Sequence, residues 1–98
     1  MTRFYLEGNA VLSELEAMNA ESEFEKIGLH FSDECGYVRG EVEDENVSNY
    51  LEILSIVYRH IESGTLIGEV ILSTGKKKKL SVSKANVYEG DDNITRLM

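Results

Sequence analysis

The sequence predicts an α+β fold: a two-layer sandwich in which an antiparallel sheet of four to five strands carries one long helix on one face. Three observations lead there. Two pairs of segments with alternating apolar residues flank short turn signals, the pattern of antiparallel hairpins. Between the pairs lies one wide apolar stripe at helical spacing. The 98 residues, 42% apolar and 29% charged, suffice for one core and one domain.

Residues 3–7 (Arg-Phe-Tyr-Leu-Glu) read as a short strand, punctuated by Gly8-Asn9. Residues 10–20 admit two readings. Val11, Leu12, Leu15 and Met18 fit a short N-terminal helix capped by Asn9, and the Ala, Leu, Glu and Met content favours it. The rival is a hairpin turned at Gly8-Asn9, with Val11 and Leu15 on one face of a second strand. Residues 23–31 alternate from Ile27 onward, residues 32–36 form a turn, and residues 37–43 alternate again. Together they predict the first hairpin.

Residues 44–63 carry the clearest helical signal. Asp44 or Asn46 can cap it, and Glu45 suits the positive end of the helix dipole. Val47, Tyr50, Leu51, Leu54, Val57, Tyr58 and Ile61 form the stripe, with Arg59 and His60 in the last turn and Gly64 as the stop. Residues 65–73 and 79–88 read as the last two strands, turning at residues 74–77. Residues 1–90 thus make one domain. Residues 91–98 read as a mobile polar tail, although Ile94, Leu97 and Met98 are spaced to dock as one short turn.

Charge is unevenly placed. Residues 1–63 hold 14 acidic and 4 basic side chains, whereas residues 64–98 hold 4 and 6, within a net charge of −8. Such asymmetry suggests contact with charged macromolecules. A candidate partner-binding face comprises Asp33, Glu34, Glu41, Glu43, Asp44 and Glu45, with Glu21, Glu23 and Glu25 nearby in sequence. It would meet a basic partner, where charge complementarity raises the association rate and selects the partner. The bland counterpart is a solvated face plus a helix N-terminus.

The run Lys76, Lys77, Lys78 and Lys79, with Lys84 and Arg96, is the alternative nucleic-acid site. Its bland counterpart is a solvated hairpin tip whose lysines keep a sheet edge from pairing with other chains. The overall acidity favours the bland reading, and no aromatic residue interleaves the run to stack on bases. His30, Asp33, Cys35 and His60 are the only soft ligands, and they lack zinc-site spacing. A small metal-dependent enzyme using His30, Cys35 and His60 is therefore the weakest reading. No metal, cofactor or catalytic residue is expected, and no phosphate loop or nucleophile elbow occurs. The acidic loop at residues 89–93 lacks the alternation of a calcium site.

The amino terminus reaches Glu7 without an apolar region, and no apolar run approaches the roughly 20 residues of a membrane span. With one cysteine, this leads us to expect a cytoplasmic protein without membrane association. The expected function is a small acidic protein-binding module that inhibits or neutralises a basic partner. Immunity proteins, antitoxins and phage anti-defence proteins work in this manner, an analogy of type only. A homodimer through the uncovered sheet face is a further reading.

Overall fold

The computed structural model describes residues 3–12, 30–35, 37–43 and 50–98. Among these, six strands and a two-residue seventh form one antiparallel sheet. They are β1 (Arg3–Leu12), β2 (His30–Glu34), β3 (Tyr37–Glu43), β4 (Ile61–Ile71), β5 (Lys77–Ser83), β6 (Val87–Glu89) and β7 (Asp92–Asn93), in spatial order β2-β3-β1-β4-β5-β6-β7. One α-helix, α1 (Tyr50–His60), lies among the described residues. The α+β class is as the sequence predicts, with more strands and a shorter helix.

Side chains alternate across β1 because successive residues of a strand point to opposite faces. Phe4, Leu6 and Ala10 are buried, while Arg3, Asn9 and Val11 are exposed. The buried face continues through Val38 and Val42 of β3, Leu66 and Val70 of β4, Leu80 and Val82 of β5, and Val87 of β6. Helix α1 adds Ile53, Leu54, Ile56 and Val57 to the same core. These recur at the spacing that puts one helical stripe against a sheet. Glu52 in the first turn and Arg59 in the last agree in sign with the helix dipole. Strands β3 and β4 each run antiparallel to β1, so they are parallel to each other with β1 between them. Parallel strands need a crossover connection, and α1 lies on it.

Four boundaries differ from the sequence reading, and two of them share one cause. Strand β1 runs unbroken through Gly8 to Leu12, so residues 10–12 are neither the start of a helix nor a strand after a turn. Residues 13–20 lie outside the described residues. Strand β4 begins at Ile61, directly after α1, so the helix ends three residues before the expected position. The far half of β1 is what claims this segment: Ala10 pairs with Gly64, Val11 with Ser63 and Leu12 with Ile61, with a register shift between Val11 and Leu12. Gly64 is not a helix stop but a strand position at φ 81°, where a Cβ would run into the backbone of Asn9 and Ala10. The predicted start of the helix, residues 44–49, lies outside the described residues.

The third difference raises the strand count. The segment expected as a single strand over residues 79–88 is two strands, β5 and β6. They are joined by a turn in which the Ser83 amide donates to the Asn86 carbonyl at 2.9 Å and the Asn86 amide to the Ser83 hydroxyl at 3.2 Å. A serine–asparagine turn without glycine or proline leaves little trace in sequence. The first hairpin turn is also tighter than expected. Glu34 pairs with Tyr37, which leaves only Cys35 and Gly36 between them, with Cys35 at φ 54°. Residues 32–34 belong to β2.

The last residues are β7 and a 3-10 turn, Thr95–Leu97. Ile94 is buried and its amide donates to the Val87 carbonyl at 2.8 Å. Met98 packs against the core, whereas Leu97 is exposed.

Candidate functional site

Among the described residues no element covers the face of the sheet opposite α1, and its side chains line up in rows across the strands. One row runs Arg39, Glu7, Ile67, Ser81 and Tyr88 from β3 to β6. The next runs Glu41, Tyr5, Glu69 and Lys79. Four of the large hydrophobic residues that remain exposed, Val11, Tyr37, Ile67 and Tyr88, stand on this face, and Ile67 is 60% exposed. Around Ile67 lies a shallow concavity of about 430 Å³, lined in part by Tyr5, Glu7, Glu69, Lys79 and Ser81.

Polar contacts order one end of this face. Arg39 donates to Glu7 at 2.6 Å and to Glu41 at 3.4 Å, and its guanidinium lies 5.0 Å from the centre of the Tyr5 ring. Hydrogen bonds from Tyr37 and then from Arg39 hold the Glu7 carboxyl below its ordinary value. The same bond to Glu7 pushes the Tyr37 hydroxyl up. The carboxylate–guanidinium contact favours both charged forms, so Glu7 and Arg39 form a fixed, neutralised pair on a face that also bears other charges.

The acidic residues expected to bind a partner are partly placed. Glu34 and Glu41 are exposed on the β2–β3 hairpin, both at positions of the open face. Asp33 and Glu43 occupy strand positions paired with Val38 and Arg3. Asp44 and Glu45 lie outside the described residues, as do Glu21, Glu23 and Glu25. The described residues hold 11 acidic and 9 basic side chains, and the rest of the chain holds seven acidic and one basic. Most of the net charge thus belongs to residues 13–29 and 44–49.

The lysine run does not form one patch, because a strand sends neighbouring side chains to opposite faces. Lys77 and Lys79 are exposed on the open side, and Lys76 is exposed in the preceding turn. Lys78 points to the covered side. Its Nζ lies 2.9 Å from Glu89 and donates to the Tyr50 hydroxyl at 3.3 Å, while that hydroxyl donates to Glu89 at 3.0 Å. The bond to Glu89, followed by that to Tyr50, holds the Lys78 ammonium above its ordinary value. Burial, ahead of its polar contacts, pushes the Tyr50 hydroxyl up. This triad ties α1 to β5 and β6. Lys84 is exposed in the β5–β6 turn, and Arg96 in the 3-10 turn.

His60 is 8% exposed and belongs to the core rather than to a solvated helix end. Cys35 is exposed at the β2–β3 turn. Among the described residues no three His, Cys, Asp or Glu side chains gather to hold a metal ion. No described helix is long and apolar enough to cross a membrane. Sequence reasoning did not single out Tyr5, Glu7, Arg39, Ile67 or Tyr88. Their signal was the outward half of each alternating strand, which reads as ordinary solvated surface until the register places those halves together. Comparisons with protein families, with curated proteins and with solved structures give no match.

Proposed function

We propose that this chain is a small, non-enzymatic protein-binding module of the cytoplasm that occupies a basic site on a partner, such as a nucleic-acid-processing protein. The observation that carries the reading is the concentration of charge. A net of −8 on 98 residues falls mostly in two stretches, residues 13–29 and 44–49, which adjoin a β2–β3 hairpin with exposed Glu34 and Glu41. A dense acidic surface speeds encounter with a basic partner and discriminates against acidic ones. Glu41, Glu43, Asp44 and Glu45 are the contacts we assign to it, with Asp33 and Glu34.

The test is charge reversal. Glu43→Lys with Asp44→Lys slows association with the partner, with the largest effect at low salt, where screening is weakest. Indifference to that change refutes this placement of the interface. A second reading, nucleic-acid binding, draws on the exposed Lys76, Lys77 and Lys79 at one hairpin. It requires an affinity for DNA or RNA that falls steeply with salt and collapses when these lysines become serine.

A further inference from the structure

Among the described residues the sheet ends at β7, and it ends by an exchange of hydrogen-bond partners. Strand β7 pairs with β6 at Glu89–Asp92 and Tyr88–Asn93. The next pair along is Val87 with Ile94, and half of it forms: the Ile94 amide donates to the Val87 carbonyl at 2.8 Å. A continuing antiparallel ladder would return the Val87 amide to the Ile94 carbonyl. The Val87 amide donates instead to the Thr95 hydroxyl at 2.8 Å, while the Ile94 carbonyl accepts from the Leu97 amide at 2.9 Å in the 3-10 turn. The Thr95 hydroxyl is itself oriented. It donates to the Asn93 side-chain oxygen at 2.6 Å, which leaves its lone pairs to the Val87 amide. Asn93 in turn donates to the Asn86 side chain at 3.1 Å. Ile94, between these two residues, is buried in the core and pins the crossing.

We infer that residues 93–95 are an edge guard: the Thr95 hydroxyl, set by Asn93 and pinned by Ile94, takes the outward amide of Val87 and keeps β6 from pairing with β6 of a second copy. An unpaired strand edge is a template for another chain. Strand β6 is Val-Tyr-Glu, and its first two residue types are among those that extend a sheet. Two such edges, once released, are identical and can pair antiparallel about a two-fold axis. A backbone partner at Thr95 would carry the ladder outward. A side-chain hydroxyl satisfies the same amide and offers no further strand. What lies outside β6 is β7, two residues long, with Asp91 and Asp92 exposed, a length and a charge that disfavour strand addition. The guard involves none of the acidic stretches at residues 13–29 and 44–49, so it stands apart from the partner-binding reading.

Amide hydrogen exchange and light scattering behind size exclusion test it. Thr95→Val keeps the side-chain shape and removes the hydroxyl. Exchange at the Val87 amide is expected to rise about tenfold, the loss of one hydrogen bond. Thr95→Ser, which keeps the hydroxyl, is expected to stay near wild type, whereas a purely steric role would give the opposite order. Ile94→Asp withdraws the pin. This variant is expected to gain, relative to wild type, a concentration-dependent dimer between about 5 and about 200 µM, the range of a weak association. Leu97→Asp, at an exposed position of the same turn, is expected to gain none. Should Ile94→Asp not fold, Asn93→Ala with Thr95→Val gives the same readout. Unchanged exchange at Val87 in Thr95→Val overturns the inference. So does a folded release variant with the mass of wild type at every concentration, or a dimer in which the Val87 amide stays unprotected.

Discussion

Replacing Tyr50 by phenylalanine isolates the polar tie between α1 and the β5–β6 hairpin. The ring stays, and with it the packing against the core. What is lost is a hydroxyl that donates to Glu89 at 3.0 Å and accepts from Lys78 at 3.3 Å. Lys78 and Glu89 keep their own contact at 2.9 Å, so neither charge is stranded. A hydrogen bond to a charged group contributes about 1.5–3 kcal/mol when well shielded, and this site is only partly buried, so about 1 kcal/mol is expected. With a urea slope of about 1–2 kcal/mol/M for a domain of this size, the midpoint falls by about 0.5–1 M. The melting temperature drops by about 4–8 °C. Urea unfolding followed by circular dichroism measures this, with Tyr88→Phe as control because Tyr88 is exposed on the other face. The wild-type contribution is also pH-dependent. Tyr50 titrates above its ordinary 10.0 and Lys78 above its ordinary 10.5. Both therefore contribute stability that is complete below those values and is lost as pH rises through the raised ones. Tyr50→Phe should flatten that alkaline loss. An unchanged urea midpoint, or an equal drop in Tyr88→Phe, would refute the tie.

A serine scan of the lysine run should follow strand alternation: Lys77→Ser and Lys79→Ser leave the urea midpoint unchanged, and Lys78→Ser lowers it. Gly68→Ala should destabilise by about 1–3 kcal/mol, as overpacking does, because the added methyl group meets the Tyr5 carbonyl on the paired strand; thermal unfolding reports it. At acid pH, Glu7, held below its ordinary 4.5, contributes stability that is complete above 4.5 and lost as pH falls through the lowered value. Glu7→Gln should therefore make thermal stability less steep in pH below 4.5, and an identical pH profile would discount the Tyr37 and Arg39 contacts.

What was legible in the sequence was local. The alternation of Val38, Gly40 and Val42, and the helical spacing of Leu54, Val57 and their neighbours, named a hairpin and a helix, because periodicity is written along the chain. The pairing of Ala10 with Gly64 and of Leu12 with Ile61 was not legible. It lengthened β1, shortened α1 and made Gly64 a strand residue, all through contacts more than 45 residues apart. Helix propensity around Val11 and Ile61 gave way to that tertiary pairing. The lysine run shows the same limit at the site. Four consecutive cations look like one patch in sequence, yet one strand step turns Lys78 toward Tyr50 and Glu89 while Lys77 and Lys79 stay on the open face. The row joining Arg39, Glu7, Ile67 and Tyr88 depends on four strand registers at once, and no segment of the sequence contains it.

The partner-binding claim is tested most directly by capture on immobilised wild type and on a Glu43→Lys, Asp44→Lys variant, at about 50 and about 300 mM salt, across which the Debye length shrinks by more than half. The account predicts one basic protein held by wild type at low salt, released at high salt, and not held by the variant at either. A partner retained equally by both proteins at both salts, or nucleic acid in place of protein, would contradict it.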